Sequence, residues 1–220
     1  MDLVKLINDM LANRKPDEER RYIGASSIGN ECSRAIWYSY NAIQGLPFDP
    51  ALKTTFEVGK RLESMLLDYV EETGLRIERP GYGNDWLFCQ DSEVPIFQGH
   101  LDAILHVHVD SPSVLEIKTA KNSRFQLFKK YNLKQAHYPY FLQLQSYMGM
   151  MGFQQAVILI INKDTSELHS EWVDFEEHIY RQLRIKALAI STIDCPPEKI
   201  NKSPLFYLCN RCKYKDICHG

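Results

Sequence analysis

This 220-residue sequence lacks the sequence features of membrane proteins, secreted proteins and P-loop motors. No apolar run approaches the roughly 20 residues that a membrane-spanning helix needs. The N-terminal stretch MDLVKLINDMLANRKPDEERR has no apolar core typical of a signal peptide, and it predicts a short amphipathic helix followed by a charged linker. No P-loop motif is present, so an intrinsic motor of that type is not expected. We expect a cytoplasmic protein, in the host cytoplasm if the gene is viral, with no membrane partner.

The sequence also lacks an excess of charge, internal repeats and low-complexity tracts. A net charge of −2 gives no overall electrostatic signature of nucleic-acid binding. Hydrophobic residues make up 45% and charged residues 25%, as in ordinary globular domains. We therefore expect one domain over residues 1–220, with a core at about residues 52–191 and flanks at about residues 22–50 and 195–220.

Acidic residues are absent from one internal segment, residues 117–163. A neutral protein with one locally basic segment can still bind a phosphate backbone there. The alternative interpretation is a basic loop exposed to solvent. The basic residues of the segment are Lys118, Lys121, Arg124, Lys129, Lys130, Lys134 and Lys163.

Hydrophobic periodicity predicts an alternation of helices and strands. Helices are predicted at residues 2–13, 31–43, 51–74, 136–151 and 176–192, and Gly74 is expected to end the third. Strands are predicted at residues 75–80, 85–90, 95–109, 113–121, 154–162 and 167–175. The turn signal Asp110-Ser111-Pro112 joins two of these strands into a hairpin. The pattern predicts an α/β fold with a mixed central β-sheet flanked by helices.

The predicted hairpin brings three charged residues together. Antiparallel pairing places Asp102 nearly opposite Glu116 and Lys118, which share one face of their strand. Converging carboxylates are easily kept ionised by a divalent cation, and a neighbouring lysine can position a phosphate or a nucleophile. A surface ion pair is the alternative, but the apolar flanks HLDAIL and VLEIK favour a functional site.

These residues resemble the signature of PD-(D/E)xK nucleases, G-h-h-D followed by h-E-h-K-T, in which h is apolar. His100 departs from the pattern at its first apolar position. Gln143 and Tyr147 resemble the Q-x-x-x-Y motif of the RecB-like branch. The run from Gly59 to Glu63 resembles its G-x-x-x-H motif, with Glu in place of His. The resemblance implies a restriction-endonuclease-like core.

The resemblance also implies roles for individual residues. Mg²⁺ or Mn²⁺ would be held by Glu63, Asp102, Glu116 and the carbonyl group of Ile117, with Lys118 positioning the attacking water or the phosphate. Gln143 and Tyr147 would support Lys118, the water or the DNA backbone. The alternatives are a solvent-facing Glu63 and two polar residues on an exposed helix face. The expected DNA contacts come from Lys121, Arg124, Lys129, Lys130, Lys134 and His137, with Tyr131, Tyr138 and Tyr140 stacking on bases or packing in the core.

Six cysteines occur, and in a reducing compartment they do not indicate a disulfide framework. The triple Cys209-x2-Cys212-x5-Cys218 lacks the fourth ligand that a structural metal site usually needs. It resembles the C-terminal triple of the CRISPR-associated iron–sulfur exonucleases and of the AddB nuclease domain, which implies that Cys32 is the fourth ligand of a 4Fe–4S cluster. Zinc in a Cys₄ site is the alternative. Cys89 and Cys195 are not expected to take part.

Taken together, the resemblances cover residues 32–218 and imply a metal-dependent DNA exonuclease acting on DNA ends, with single strands favoured. A helicase, an integrase or a recombination enzyme would be a natural partner, in a CRISPR, phage or repair pathway. Two other interpretations remain open. One is a non-catalytic DNA-binding adaptor that keeps the fold and the cluster, and the other is a zinc-ribbon protein.

Overall fold

The computed structural model describes residues 2–14, 21–47, 49–80, 87–108 and 111–220. Within those residues the helices are α1 (Leu3–Asn13), α2 (Ala25–Ile28), α3 (Ser33–Tyr40), α4 (Pro50–Glu72), α5 (Asn122–Lys130), α6 (Leu133–Ala136), α7 (Tyr138–Met151), α8 (Glu177–Thr192), α9 (Tyr207–Asn210) and α10 (Lys215–His219). The strands are β1 (Ile23–Gly24), β2 (Arg76–Glu78), β3 (Leu87–Gln90), β4 (Phe97–Leu101), β5 (Ala103–His108), β6 (Ser111–Ala120), β7 (Gln155–Asn162) and β8 (Leu168–Asp174).

The strands form two sheets, both with mixed strand directions. The larger has five strands in the order β2-β5-β6-β7-β8, and the smaller has three in the order β1-β4-β3. Strand β7 runs parallel to β6, whereas β5 and β6 are antiparallel. The predicted mixed α/β architecture and the predicted hairpin are therefore confirmed, although Asp110 of the predicted turn lies outside the described residues. The predicted division into a core and two flanks stays a prediction.

The single strand predicted over residues 95–109 is wrong. The chain leaves the smaller sheet after Leu101 and enters the larger one at Ala103, so that Asp102 is the junction between β4 and β5. Alternating apolar residues continue through the junction, and only the pairing of the two halves with different partners separates them. This break places the first candidate site residue at a change of sheet rather than within a ladder.

The larger sheet is covered on both faces by helices. Alternate residues of β6 contact opposite sides: Val114 belongs to the core cluster that contains Leu144 of α7, and Leu115 to the cluster that contains Leu66 of α4. Strand β7 is buried on both faces, as its continuous apolar run predicts. Because side chains alternate, Glu116 and Lys118 lie on the same face of β6 as Val114, towards α7.

Helix α4 confirms the predicted boundaries of the third helix. The Asp49 carboxylate caps its start by accepting a hydrogen bond of 2.7 Å from the backbone N–H of Ala51. Gly74 follows its end with φ +84°, a conformation that favours glycine. The helix is packed most closely at Leu66 and Leu67, which are buried, whereas Phe56 and Tyr69 on either side of them are 47% and 50% exposed.

The helical structure between β6 and β7 is richer than the sequence suggests. The helix predicted at residues 136–151 is interrupted at His137, which separates α6 from α7, and α5 was not predicted. Phe125 and Phe128 of α5 are three residues apart and both buried, the one signal that could have identified this helix. None of the described helices combines the length and the apolar character needed to cross a membrane.

Candidate active site and cysteine-lined cavity

The junction residue Asp102 lies next to β6. The register pairs Ala103 with Leu115, so Asp102, the residue just before β5, comes opposite Glu116. The Asp102 Oδ2 atom accepts a hydrogen bond of 2.7 Å from the backbone N–H of Ile117. The carboxylate therefore replaces a backbone acceptor at the point where the chain changes sheets, which fixes it beside Glu116 as the sequence predicts.

Glu116 is the most deeply buried acid of the site, with 1% of its surface exposed. Its Oε1 atom accepts hydrogen bonds from Lys118 Nζ and, at 2.8 Å, from Gln143 Nε2. Its Oε2 atom is buried and has no hydrogen-bond partner among the described residues. A buried oxygen without a partner is costly in a folded protein, and a hard cation is the kind of ligand that would satisfy it.

Gln143 and Tyr147 form a hydrogen-bonded chain behind Glu116. Gln143 Nε2 is 3.0 Å from the Tyr147 hydroxyl group, which donates to the backbone carbonyl of His100 at 2.7 Å. The two side chains lie one helical turn apart on the same face of α7. Both are buried, at 5% and 3% exposure, so the alternative of an exposed polar helix face is wrong. The chain links the Glu116 carboxylate to the backbone of β4.

Gly99 makes this arrangement sterically feasible. A Cβ atom built on Gly99 would lie 2.4 Å from Tyr147 Cε1 and 3.0 Å from Ala25 Cβ. Any side chain there would displace the tyrosine ring that supports Gln143. Sequence reasoning included Gly99 only as part of a motif. A glycine inside a strand is nevertheless a recognised sign that another group approaches the backbone closely.

The carboxylates of the site are held in an environment that opposes their ionisation. Burial, followed by the charge of Asp102, raises the pKa of Glu116 to about 8. The same two causes raise the pKa of Glu63 to about 7. Burial also raises the pKa of Asp102, although Lys118 opposes it. Lys118 lies among these carboxylates, and despite its own burial Glu116 and Asp102 raise its pKa above the usual range.

Glu63 faces the same site from α4. The charge of Asp102 raises its pKa and that of Lys118 lowers it, which places Glu63 within electrostatic reach of both. Gly59, one turn earlier, leaves open space, since nothing lies within 4 Å of a Cβ atom built there. Glu63 is therefore not merely a solvent-facing residue. Within the described part of the chain, however, no three His, Cys, Asp or Glu side chains are already arranged around a common point for an ion.

The basic segment contains no acidic residue, but the fold brings acidic residues from outside the segment next to it. Lys129 Nζ lies 3.1 Å from Glu167, next to the start of β8, and Lys134 Nζ lies 2.8 Å from Glu176, after its end. These two predicted DNA contacts are engaged in surface ion pairs. The ion pairs are exposed, so their net stabilisation is small and competition by phosphate is feasible. Lys121 and Lys130 are exposed at the two ends of α5.

His137 and Tyr140 lie close to Lys118. His137 caps α7, its Nδ1 atom accepting a hydrogen bond of 3.3 Å from the Tyr140 backbone N–H. Burial, followed by the charge of Arg124, lowers its pKa. The Tyr140 ring lies beneath Lys118, with the ring centroid 5.1 Å from Nζ. Tyr138 and Tyr131 are exposed, so core packing does not account for those two rings.

The four cysteines of the predicted cluster line one cavity of about 720 Å³. Burial raises the pKa of Cys209, and the charges of Cys32, Cys218 and Cys212 raise it further. His219 also lines the cavity.

The other two cysteines lie elsewhere. Cys89 is buried in β3, where its Sγ atom contacts Met150 Sδ at 3.5 Å and burial raises its pKa to about 12. Cys195 is exposed. Neither residue lines the cysteine cavity.

Several contacts tie the N-terminal flank to the C-terminal flank around this cavity. The backbone N–H of Leu46 donates to the Lys213 carbonyl group at 2.8 Å. Trp37 Nε1 donates to the Ile193 carbonyl group at 3.0 Å. The Arg34 guanidinium group donates to the Pro197 carbonyl group. The structure therefore brings the lone upstream cysteine to the C-terminal triple across the length of the chain.

Solved structures share this fold. The alkaline exonuclease LHK-Exo from Laribacter hongkongensis matches with a TM-score of 0.58 and 14% identity, over 79% of this chain and 87% of that chain. Its complex with dAMP matches over the same shares, with a TM-score of 0.56 and 12% identity. The protein SSO0001 matches with a TM-score of 0.56 and 16% identity, over 98% of this chain and 93% of that chain.

These likenesses show the fold, which is the α/β fold of the alkaline exonuclease. The match to SSO0001 extends across almost the whole chain and so includes most of the cysteine-bearing flanks. No family model matches the sequence, and no curated protein matches it either.

Proposed function

We propose that this protein is a divalent-metal-dependent deoxyribonuclease, an exonuclease that hydrolyses phosphodiester bonds from DNA ends. The single observation that supports it best is the buried Glu116, whose Oε2 atom has no hydrogen-bond partner among the described residues and which lies beside Asp102 and Lys118. The fold shared with an alkaline exonuclease is the second support. A structural ion pair would not leave a buried carboxylate oxygen unsatisfied.

The residues that would hold the cation are Glu63, Asp102, Glu116 and the carbonyl oxygen of Ile117. All of these donors are oxygen atoms, which suits Mg²⁺ or Mn²⁺ rather than a soft metal. The bound ion would make water a stronger nucleophile and offset the charge that develops on the phosphate. Burial, followed by the charge of Asp102, raises the pKa of Glu116 to about 8 although Lys118 opposes the shift, and a bound cation would favour the ionised carboxylate further.

Lys118 supplies the remaining charge in the mechanism. Its ammonium group is held between Glu116 and the Tyr140 ring, and both keep it protonated. From that position it would steady the phosphate or orient the attacking water. Gln143 would keep one Glu116 oxygen directed away from the metal side, because its Nε2 donates to Oε1 and its orientation is fixed through Tyr147.

The DNA path would follow α5 to α7, next to Lys118. Lys121, Arg124 and His137 would contact the backbone, with Lys129, Lys130 and Lys134 farther along. The exposed Tyr131 and Tyr138 rings suit stacking on unpaired bases, which supports a preference for single strands or frayed ends. A helicase, an integrase or a recombination enzyme would supply such ends, in a CRISPR, phage-recombination or repair process.

The four cavity cysteines would bind a 4Fe–4S cluster. A cavity of about 720 Å³ gives room for a group of several atoms, whereas zinc in a Cys₄ site needs the sulfur atoms to converge on one ion. The cluster would join the N-terminal flank to the C-terminal tail and contribute folding free energy directly. Zinc remains the alternative metal, and metal analysis of the purified protein distinguishes the two.

The experiment is a cleavage assay on end-labelled single-stranded and double-stranded DNA with Mn²⁺. The wild-type protein is compared with Lys118→Ala and with Lys202→Ala, which removes an exposed lysine of the C-terminal loop. Metal-dependent shortening of the labelled strand should occur with the wild type and with Lys202→Ala, and should be lost with Lys118→Ala. Removal of Mn²⁺ by a chelator should abolish it in every sample.

The second candidate function is a DNA-binding adaptor without catalysis, which the replacement of the motif's histidine by Glu63 would favour. It predicts that the wild type and Lys118→Ala both bind DNA and neither shortens it. That outcome, in protein that contains its metal cluster, would overturn the nuclease proposal.

A further inference from the structure

The charged residues that line the cysteine cavity are all basic. Its described lining contains no aspartate or glutamate, whereas Arg34, Lys199, Arg211 and Lys215 all contribute to it. Cysteines that bind a metal do so as thiolates, so four of them bring four negative charges into one cavity. The cations around the cavity are therefore complementary to a ligated cluster.

Arg34 lies within hydrogen-bond reach of one of these cysteines. Its Nη1 atom lies 3.9 Å from Cys218 Sγ and 3.5 Å from the Tyr38 hydroxyl group. Its other nitrogen atoms donate to the carbonyl groups of Pro196, at 3.5 Å, and of Pro197. The guanidinium group is thus held on one side by the loop before the tail, and its free edge faces the sulfur atom.

The location of Arg34 in its helix strengthens this point. It lies in the first turn of α3, directly after the helix start at Cys32 and Ser33. A positive charge at a helix N-terminus is unfavourable, because the helix dipole is positive there. A neighbouring thiolate would reverse the sign of that interaction. A thiolate in front of Arg34 would therefore add to the carbonyl contacts that already hold its side chain.

We propose that Arg34 is a positioning residue for the cysteine-bound cluster, donating an N–H hydrogen bond to the Cys218 thiolate while it anchors the proline loop. The inference rests on the proposed cluster. Hydrogen bonds to cluster sulfur atoms raise the reduction potential, and partners of metal ligands typically contribute 10–100-fold to metal retention. Lysine would keep the charge but not the planar group that bonds the loop and the sulfur atom at once.

The test uses the full-length protein purified with its cluster. Arg34→Gln removes the charge and Arg34→Lys keeps it, while Arg181→Gln changes an exposed arginine of α8 that does not line the cavity. The measurements are iron content, the rate of iron loss to a chelator, and the reduction potential of the cluster.

Arg34→Gln should lose iron about 10–100-fold faster than the wild type and show a more negative potential. Arg34→Lys should recover part of both effects, and Arg181→Gln should match the wild type. A merely structural role would change the rate of loss but not the potential. Equal loss rates and equal potentials in iron-loaded wild type and Arg34 variants would overturn this proposal while leaving the cluster intact. Wild-type protein without iron would overturn the cluster, and this inference with it.

Discussion

Glu116→Gln tests the metal site through stability rather than activity. In the metal-free protein the buried Glu116 has a pKa of about 8, against 4.5 for an unperturbed glutamate. Between these values the folded protein keeps a proton that the unfolded chain has released. The unfolded state is therefore increasingly favoured as the pH rises from about 4.5 to about 8, and the metal-free wild type should be less stable at pH 8 than at pH 5.

The expected magnitude follows from linkage. While the folded state holds one extra proton, stability falls by about 1.4 kcal/mol for each pH unit. Mn²⁺ at about 100 times its dissociation constant should add about 2.7 kcal/mol to the folded state. For a chain of this size that corresponds to a rise in Tm of about 5–10 °C.

Glutamine keeps the shape of the side chain and an oxygen acceptor for Gln143 and Lys118, and it cannot ionise. The variant should therefore be more stable than the metal-free wild type at pH 8, show a flatter pH dependence, and gain little from Mn²⁺. The measurement is Tm at pH 5 to 8 with and without Mn²⁺, in protein whose cysteine site is loaded equally. Glu167→Gln, an exposed carboxylate paired with Lys129, is the matched control and should respond to Mn²⁺ as the wild type does. An equal Mn²⁺ gain in wild type and Glu116→Gln would refute the assignment of Glu116 as a ligand.

Gly99→Ala should displace the Tyr147 ring, because the new Cβ atom would lie 2.4 Å from it. The variant should be less stable by about 1–3 kcal/mol in thermal melts and should lose DNA cleavage in the assay. Tyr147→Phe keeps the packing but removes the hydroxyl hydrogen bonds, so it should lower stability by about 1 kcal/mol and weaken Mn²⁺ binding in a titration. Unchanged Mn²⁺ affinity would contradict the role of the hydrogen-bonded chain behind Glu116. Cys32→Ala should reduce bound iron as severely as Cys212→Ala, whereas Cys89→Ala should retain it, and a dispensable Cys32 would refute the four-cysteine site.

Much of the candidate site could be predicted from the sequence because it depends on local periodicity. Alternation within one strand puts Glu116 and Lys118 on the same face, and one helical turn separates Gln143 from Tyr147. The hairpin register then brings Asp102 opposite Glu116. Each of these relations involves neighbours along one strand, one helix or one hairpin, so no knowledge of distant packing was needed.

The parts that could not be predicted depend on pairing between distant segments. Nothing in the alternating run around Asp102 marks the change of sheet, because the two halves differ only in the strands that they join. Likewise, the absence of acids from the basic segment gave no sign that Glu167 and Glu176 would be brought to it. Local patterns indicate which residues share a face, and only tertiary structure decides what faces them.

Several unfavourable features of the fold lie together around Glu116, although the buried Nε2 atom of His169 also has no hydrogen-bond partner among the described residues. A sequence that specifies its structure well usually satisfies its buried polar groups, and departures from that rule concentrate at functional sites. Here the ionisation of Glu63, Asp102 and Glu116 is disfavoured at one place, and an unsatisfied Glu116 oxygen lies there too. Gln143, Tyr147 and Gly99 hold that arrangement rigidly instead of relieving it. A rigid support for mutually repelling carboxylates stabilises nothing by itself, so its most economical explanation is a divalent cation that the carboxylates are arranged to bind.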